Sequence, residues 1–210
     1  QPLDAQAPAL VVFTSEASNL VPNDTNGQTD VFLRNLRTGT TTRLSVGVGG
    51  VELPQRAFGG SISADGRFAS YITPGAALPL DTNGGGNDAV VVDLTTGARS
   101  YGLLSAAGVQ PSGNTEAFTG SVLSGDGRYV MWSGRMSGLI TGDNNGESDI
   151  YIYDRQNNTP RMASVTTTGA IVGSGSLGYN TATGFFSGNG RWVGHSTFAY
   201  IAGVNPNNCT

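Results

Sequence analysis

A five-residue segment recurs at a nearly constant step, and it restricts the fold more than any other feature of the chain. Ser63-Ala64-Asp65-Gly66-Arg67 returns as Ser124-Gly125-Asp126-Gly127-Arg128 and as Ser187-Gly188-Asn189-Gly190-Arg191, at steps of 61 and 63 residues. Self-similarity at such a period marks stacked units, each of which needs its neighbours to bury its apolar face. A run rich in aromatic and β-branched residues follows each copy, at residues 68–73, 129–133 and 192–196. Residues 10–15 match these runs without a preceding turn.

A second marker keeps step with the first. Asp24-Thr25-Asn26-Gly27-Gln28-Thr29-Asp30 recurs as Asp143-Asn144-Asn145-Gly146-Glu147-Ser148-Asp149, and as Asp81-Thr82-Asn83-Gly84 with Asp88 after a one-residue insertion. Each leads into another strand-like run, at 31–35, 89–93 and 150–154. Thr38-Gly39, Thr96-Gly97 or Asn157-Asn158 then turns the chain into a last run, at 41–46, 99–104 or 161–165. Short runs punctuated by Gly, Asn and Asp predict an all-β fold of four-stranded antiparallel units. Labelling the strands of a unit A to D, the chain reads BCD, ABCD, ABCD, AB, which makes 13 strands. The repeats fall at roughly 8–58, 59–117, 118–183 and, in part, 184–210, within one repeat domain spanning 1–210.

The Ser-x-Asp-Gly-Arg turn, the aromatic strand, the Asp-Val-Phe-Leu or Asp-Ile-Tyr-Ile-Tyr-Asp strand and the Thr-Gly turn resemble TolB-type β-propeller repeats. The longer form with Asp-Thr-Asn-Gly loops is similar to arrays in secreted bacterial proteins. The resemblance covers nearly the whole chain and implies a propeller fold. It implies little about activity, because propellers host many unrelated functions.

Composition narrows the chemistry. All 11 basic residues are arginine, so Schiff-base, phosphate-loop and kinase-type lysines are excluded. A net charge of −4 argues against a nucleic-acid partner bound through a basic footprint. The single cysteine, Cys209, allows no internal disulfide. No apolar stretch is long enough to span a bilayer. A start at Gln1, low charge and no lysine together predict a periplasmic or secreted protein from which a leader has been removed.

The Asp-x-Asn-Gly loops are the sharpest chemical signal. Calcium takes six to eight oxygens, typically carboxylates, amide carbonyls and backbone carbonyls along a tight loop. Asp24, Asn26 and Asp30, then Asp81, Asn83 and Asp88, then Asp143, Asn145 and Asp149 are the candidate ligands, and Glu147 adds charge to the third set. The competing reading is turn chemistry, in which Asp and Asn bond their own backbone and Gly takes the positive φ.

Other features point nowhere catalytic. His195, the single histidine, aligns with Phe13, Tyr71 and Trp132 and reads as a blade-packing ring. No Gly-x-Ser-x-Gly elbow occurs. Residues 173–178 match Gly-x-Gly-x-x-Gly, but no helical pattern follows, so a dinucleotide site is not expected.

In an up-and-down blade the A–B and C–D turns share one end, and the B–C and D–A loops share the other. The second end carries every long loop and is the expected recognition face. The resulting expectation is an extracytoplasmic interaction or scaffold subunit that is not an enzyme. A protein partner or a second copy would cover its open blade edges, and the assembly could be membrane-associated. The rivals are a calcium-dependent carbohydrate- or surface-binding module and an accessory propeller of a secreted hydrolase.

Overall fold

The computed structural model describes residues 9–74, 78–79, 81–83, 85–111, 120–166, 168–171, 184–187 and 190–194. These residues form 13 strands and no α-helix. The first sheet holds β1 (Leu10–Ser15), β2 (Asp30–Asn35) and β3 (Thr40–Arg43) in chain order. The second holds β4 (Phe58–Ile62), β5 (Phe68–Pro74), β6 (Asn87–Asp93) and β7 (Arg99–Tyr101). The third holds β8 (Val122–Leu123), β9 (Tyr129–Gly134), β10 (Asp149–Asp154) and β11 (Thr159–Met162). β12 (Phe185–Phe186) and β13 (Val193–Gly194) pair as a fourth, two-stranded sheet. Every pairing is antiparallel between chain neighbours, so the fold is a series of β-propeller blades in the expected BCD, ABCD, ABCD, AB order.

The A–B turns explain why their sequence repeats. Ser63 Oγ accepts the Phe68 N–H at 2.9 Å and donates to Asp65, whose Oδ1 also accepts the Arg67 N–H. Ser124, Asp126 and Tyr129 repeat this, and Ser187 Oγ accepts the Trp192 N–H at 3.0 Å. The arginine then ties the turn to the neighbouring C–D turn, through Arg67–Asp93 at 3.0 Å and Arg128–Asp154 at 2.6 Å. Hydrogen bonds from Arg128 hold the Asp154 carboxyl down at about 2.

Blades stack through their A strands: β4 lies on β1 and β2, β8 on β4 and β5, and β12 on β8. At one crossing the backbones nearly touch, since a Cβ on Gly59 would come within 2.4 Å of Gly120 Cα. Both glycines also have positive φ, so no other residue fits at either position without a backbone shift. Tyr71 and Trp132, two of the aligned rings, are buried between blades, and Tyr151 and Tyr153 are buried too. His195 and residues 173–178 lie outside the described residues.

The D strands stop earlier than expected. β3 ends at Arg43 because the Leu44 and Ser45 N–H groups both reach the Val31 carbonyl, a bulge that breaks the ladder. The run expected at 192–196 is a strand only over Val193–Gly194 among the described residues, and Trp192 is exposed.

Candidate functional site: the B–C loop slots

The bulge that ends the first D strand has a purpose visible in the side chains. It turns Ser45 inward, where its hydroxyl donates to Asp30 Oδ1 and accepts the Val31 N–H at 3.0 Å. Ser164 does the same for Asp149, at 2.6 Å, and for the Ile150 N–H. The D–A loop then folds straight back as a tight turn, with Gly47 N–H reaching the Val51 carbonyl, Ser105 reaching Val109 and Thr166 reaching Ala170. These turns bring residues 52 and 110 against the B–C loops. The long-loop end is therefore built as expected, with B–C and D–A segments side by side.

Each B–C loop is organised by its asparagine. Asn26 Nδ2 donates to Asp30 at 3.0 Å and to the Leu53 carbonyl, while Asn26 Oδ1 accepts the Gln28 N–H. Asn145 repeats the pattern with Asp149 and the Glu147 N–H. The asparagine thus closes a turn through its oxygen and holds the buried aspartate through its nitrogen, which is the turn chemistry of the sequence reading. The second loop departs from it. Asn83 Nδ2 donates to Asp88 at 2.9 Å, but the extra residue displaces the N–H that would meet its oxygen, and Asn83 Oδ1 is buried without a partner.

What faces each loop differs by blade. In the first, the nearest carboxylate oxygens of Asp24, Asp30 and Glu52 lie within 4.8 Å of one another. The Arg43 guanidinium stands among them, at 3.3 Å from Asp24, 3.4 Å from Asp30 and 2.5 Å from Glu52. Thr25 gives Glu52 both its N–H and its hydroxyl; those bonds first, and Arg43 after them, hold the Glu52 carboxyl at about 2. Burial pushes Asp24 the other way, upward, against the pull of Arg43.

In the second blade the same places hold neutral groups. Tyr101 ends β7 where Arg43 ends β3, Gln110 stands for Glu52, and Leu103 stands for Ser45. Gln110 Oε1 accepts the Thr82 N–H at 2.7 Å, and its Nε2 donates to Asp88 Oδ1 at 2.7 Å. Asp88 is 3% exposed, and its Oδ2 has no partner. Burial drives this carboxyl up to about 7, and the nearby Asp81 charge adds to the rise.

In the third blade the corresponding residues are Met162 and Ile171, so the slot is apolar. Asp143 accepts the Tyr151 hydroxyl at 2.6 Å instead, and burial raises Asp149 above the usual carboxylate range. Glu147 faces Arg135 at 3.7 Å.

The structure therefore brings together each predicted trio, Asp24/Asn26/Asp30, Asp81/Asn83/Asp88 and Asp143/Asn145/Asp149. Sequence reasoning missed Arg43, Ser45, Glu52, Gln110 and Ser164. The serines carry a signal, since both fall 15 positions after the buried aspartate. Arg43 carries none, because it does not recur.

No family model matches the chain, and no curated protein matches it. Solved structures do. A tricorn protease is 16% identical, with 89% of this chain and 14% of that chain covered at a TM-score of 0.47. A putative TolB from Agrobacterium tumefaciens is 16% identical over 73% of this chain and 42% of that one, TM-score 0.44. The β-propeller domain of the Trilobed protease from Pyrococcus furiosus, described as having an open velcro topology, is 14% identical over 73% and 38%, TM-score 0.44. The chain spans less than half the length of each of these. They also correct one expectation. A chain of this kind is not thereby a non-enzyme, because its structural neighbours include the tricorn protease, an acylaminoacyl peptidase and prolyl endopeptidases.

Proposed function

We propose that the chain supplies the blades of a larger β-propeller assembly and that its B–C/D–A end is a protein-recognition surface. One observation carries this. The D–A turns present Val48, Val51 and Val109 at 61%, 66% and 51% exposure, on the same end as the B–C loops. Apolar side chains held on rigid turns are what an interface core uses, and they gain nothing from solvent. The opposite end is occupied by the repeated Ser-x-Asp-Gly-Arg turns and their arginine–aspartate pairs, which serve the blades themselves. A low charge content and the absence of lysine favour a place outside the cytoplasm, and no helix of the described residues could cross a membrane.

A second reading is that the propeller belongs to a secreted hydrolase. It is favoured by the peptidase neighbours, of which this chain would represent one part. In that case the same face would dock on the catalytic domain. Native mass spectrometry of the purified protein tests the first reading. Val48→Asp with Val109→Asp should abolish a complex that Leu36→Asp, on the opposite end, leaves intact. Equal loss from both variants, or no complex at all, would refute the loop-face assignment.

A further inference from the structure

The three B–C loops share one motif, yet in only two of them do the protein's own atoms meet both oxygens of the buried aspartate. The first places a guanidinium among its carboxylates. The third satisfies Asp149 through Ser164 and Asn145, and Asp143 through Tyr151. In the second, Leu103 removes the serine and Tyr101 removes the arginine, leaving Asp81 and Asp88 faced by amides. The one-residue insertion also frees Asn83 Oδ1. Two buried oxygens, Asn83 Oδ1 and Asp88 Oδ2, thus lack partners on side chains that already touch each other.

We propose that Asp81, Asn83 and Asp88 form a calcium-class divalent cation site, in the slot that the first blade fills with Arg43. Two features point to a ligand and not merely to an acidic cluster. Asp88 is more than nine-tenths buried with a free carboxylate oxygen, and an uncompensated buried acceptor is costly unless something meets it. The equivalent slot of the first blade holds a positive group against the equivalent carboxylates, so the architecture already places a cation at this point of a blade. The donors are all oxygen, carboxylate and amide carbonyl, on a glycine-rich loop. That set suits calcium, which accepts irregular oxygen cages, better than magnesium, which demands an octahedron, or zinc, which prefers nitrogen and sulfur. Waters and a backbone carbonyl would complete the coordination.

Isothermal titration of the whole chain with calcium chloride should show one ion per chain, with a Kd on the order of 0.1–1 mM, the range of extracellular sites. Asp81→Asn should weaken binding at least tenfold, whereas Asp24→Asn and Asp143→Asn should leave it within twofold. Calcium should also raise the Tm of the wild-type protein, and that rise should vanish in Asp81→Asn. Because Asp81 lies on the loop and outside the sheet, this variant retains the blade. Two outcomes would overturn the site. One is neither heat nor a Tm shift at 10 mM calcium, which would assign the two oxygens to a shared proton or a water. The other is binding that survives Asp81→Asn and is lost in Asp143→Asn.

Discussion

The first and second B–C loops open with the same four residues, Asp24-Thr25-Asn26-Gly27 and Asp81-Thr82-Asn83-Gly84, and arrive at different electrostatic states. In the first, three carboxylates share one guanidinium, and Glu52 is held fully ionised. In the second, Asp88 sits between two amides with its charge disfavoured by burial. Apart from the one-residue insertion that frees Asn83 Oδ1, nothing inside the loops decides this. The deciding residues come from the end of strand D and from the returning D–A turn, Arg43 and Glu52 in one blade, Tyr101 and Gln110 in the other. A repeated motif therefore fixes a backbone shape, and the residue packed against it from outside the motif fixes its chemistry.

Arg43 offers the most severe way to break that contrast. Arg43→Met, which copies the third blade's Met162, would leave three close carboxylates with no counter-charge. Removing one partner of a buried ion pair costs about 3–5 kcal/mol, so urea unfolding should show a loss of about 3 kcal/mol, softened because Glu52 is partly exposed. Millimolar calcium should recover part of that loss by entering the vacated slot. A loss below about 1 kcal/mol would mean that water already serves the carboxylates and that the blades differ less than described.

The serine locks give a middle-sized test. Ser164→Ala strips Asp149 and the Ile150 N–H of a partner at once, and only Asn145 remains to Asp149. Leaving buried polar groups unpaired should cost about 2 kcal/mol. Ser45→Ala removes the same two bonds, but Arg43 and Asn26 still hold Asp30, so about 1 kcal/mol is expected. Equal costs in chemical denaturation would show that Arg43 does not back up Asp30.

These contrasts separate what the sequence made legible from what it did not. Blade order, strand count and the equivalence of Ser63, Ser124 and Ser187 were readable because each rests on residues that recur, and recurrence survives without coordinates. The sharing of one end by the B–C and D–A loops was readable from antiparallel order alone. The slot fillers were not: Arg43, Tyr101 and Met162 all fall 13 positions after the buried aspartate, but they differ in kind, so nothing that recurs marks them as facing the loop. The strand ends misjudged at 44–46 reflect local packing: Leu44 and Ser45 have strand-like sequence, but both N–H groups turn to the Val31 carbonyl and the Ser45 hydroxyl turns to Asp30. Glu147, which adds charge to the third loop in the sequence, faces Arg135 in the fold.

The smallest expected effect is also the most selective. Glu52→Gln gives the first blade the second blade's residue and keeps an acceptor for Thr25, so the change isolates the charge. The Glu52 carboxyl lies at about 2 in the folded protein against 4.5 when free, a depressed value. Its contribution is therefore complete above about pH 4.5 and disappears as the pH falls through that interval towards 2. The side chain is 20% exposed, so solvent screening reduces the benefit to about 1 kcal/mol at neutral pH. Wild type and Glu52→Gln should thus differ by about 1 kcal/mol in urea midpoint energies at pH 7 and converge near pH 2. The reciprocal Gln110→Glu should move the second blade toward the first: with no arginine to meet it, the new carboxylate should lower stability at pH 7 and strengthen calcium binding. If both variants show flat profiles, the two slots are electrostatically alike, and the difference between the loops lies in shape alone.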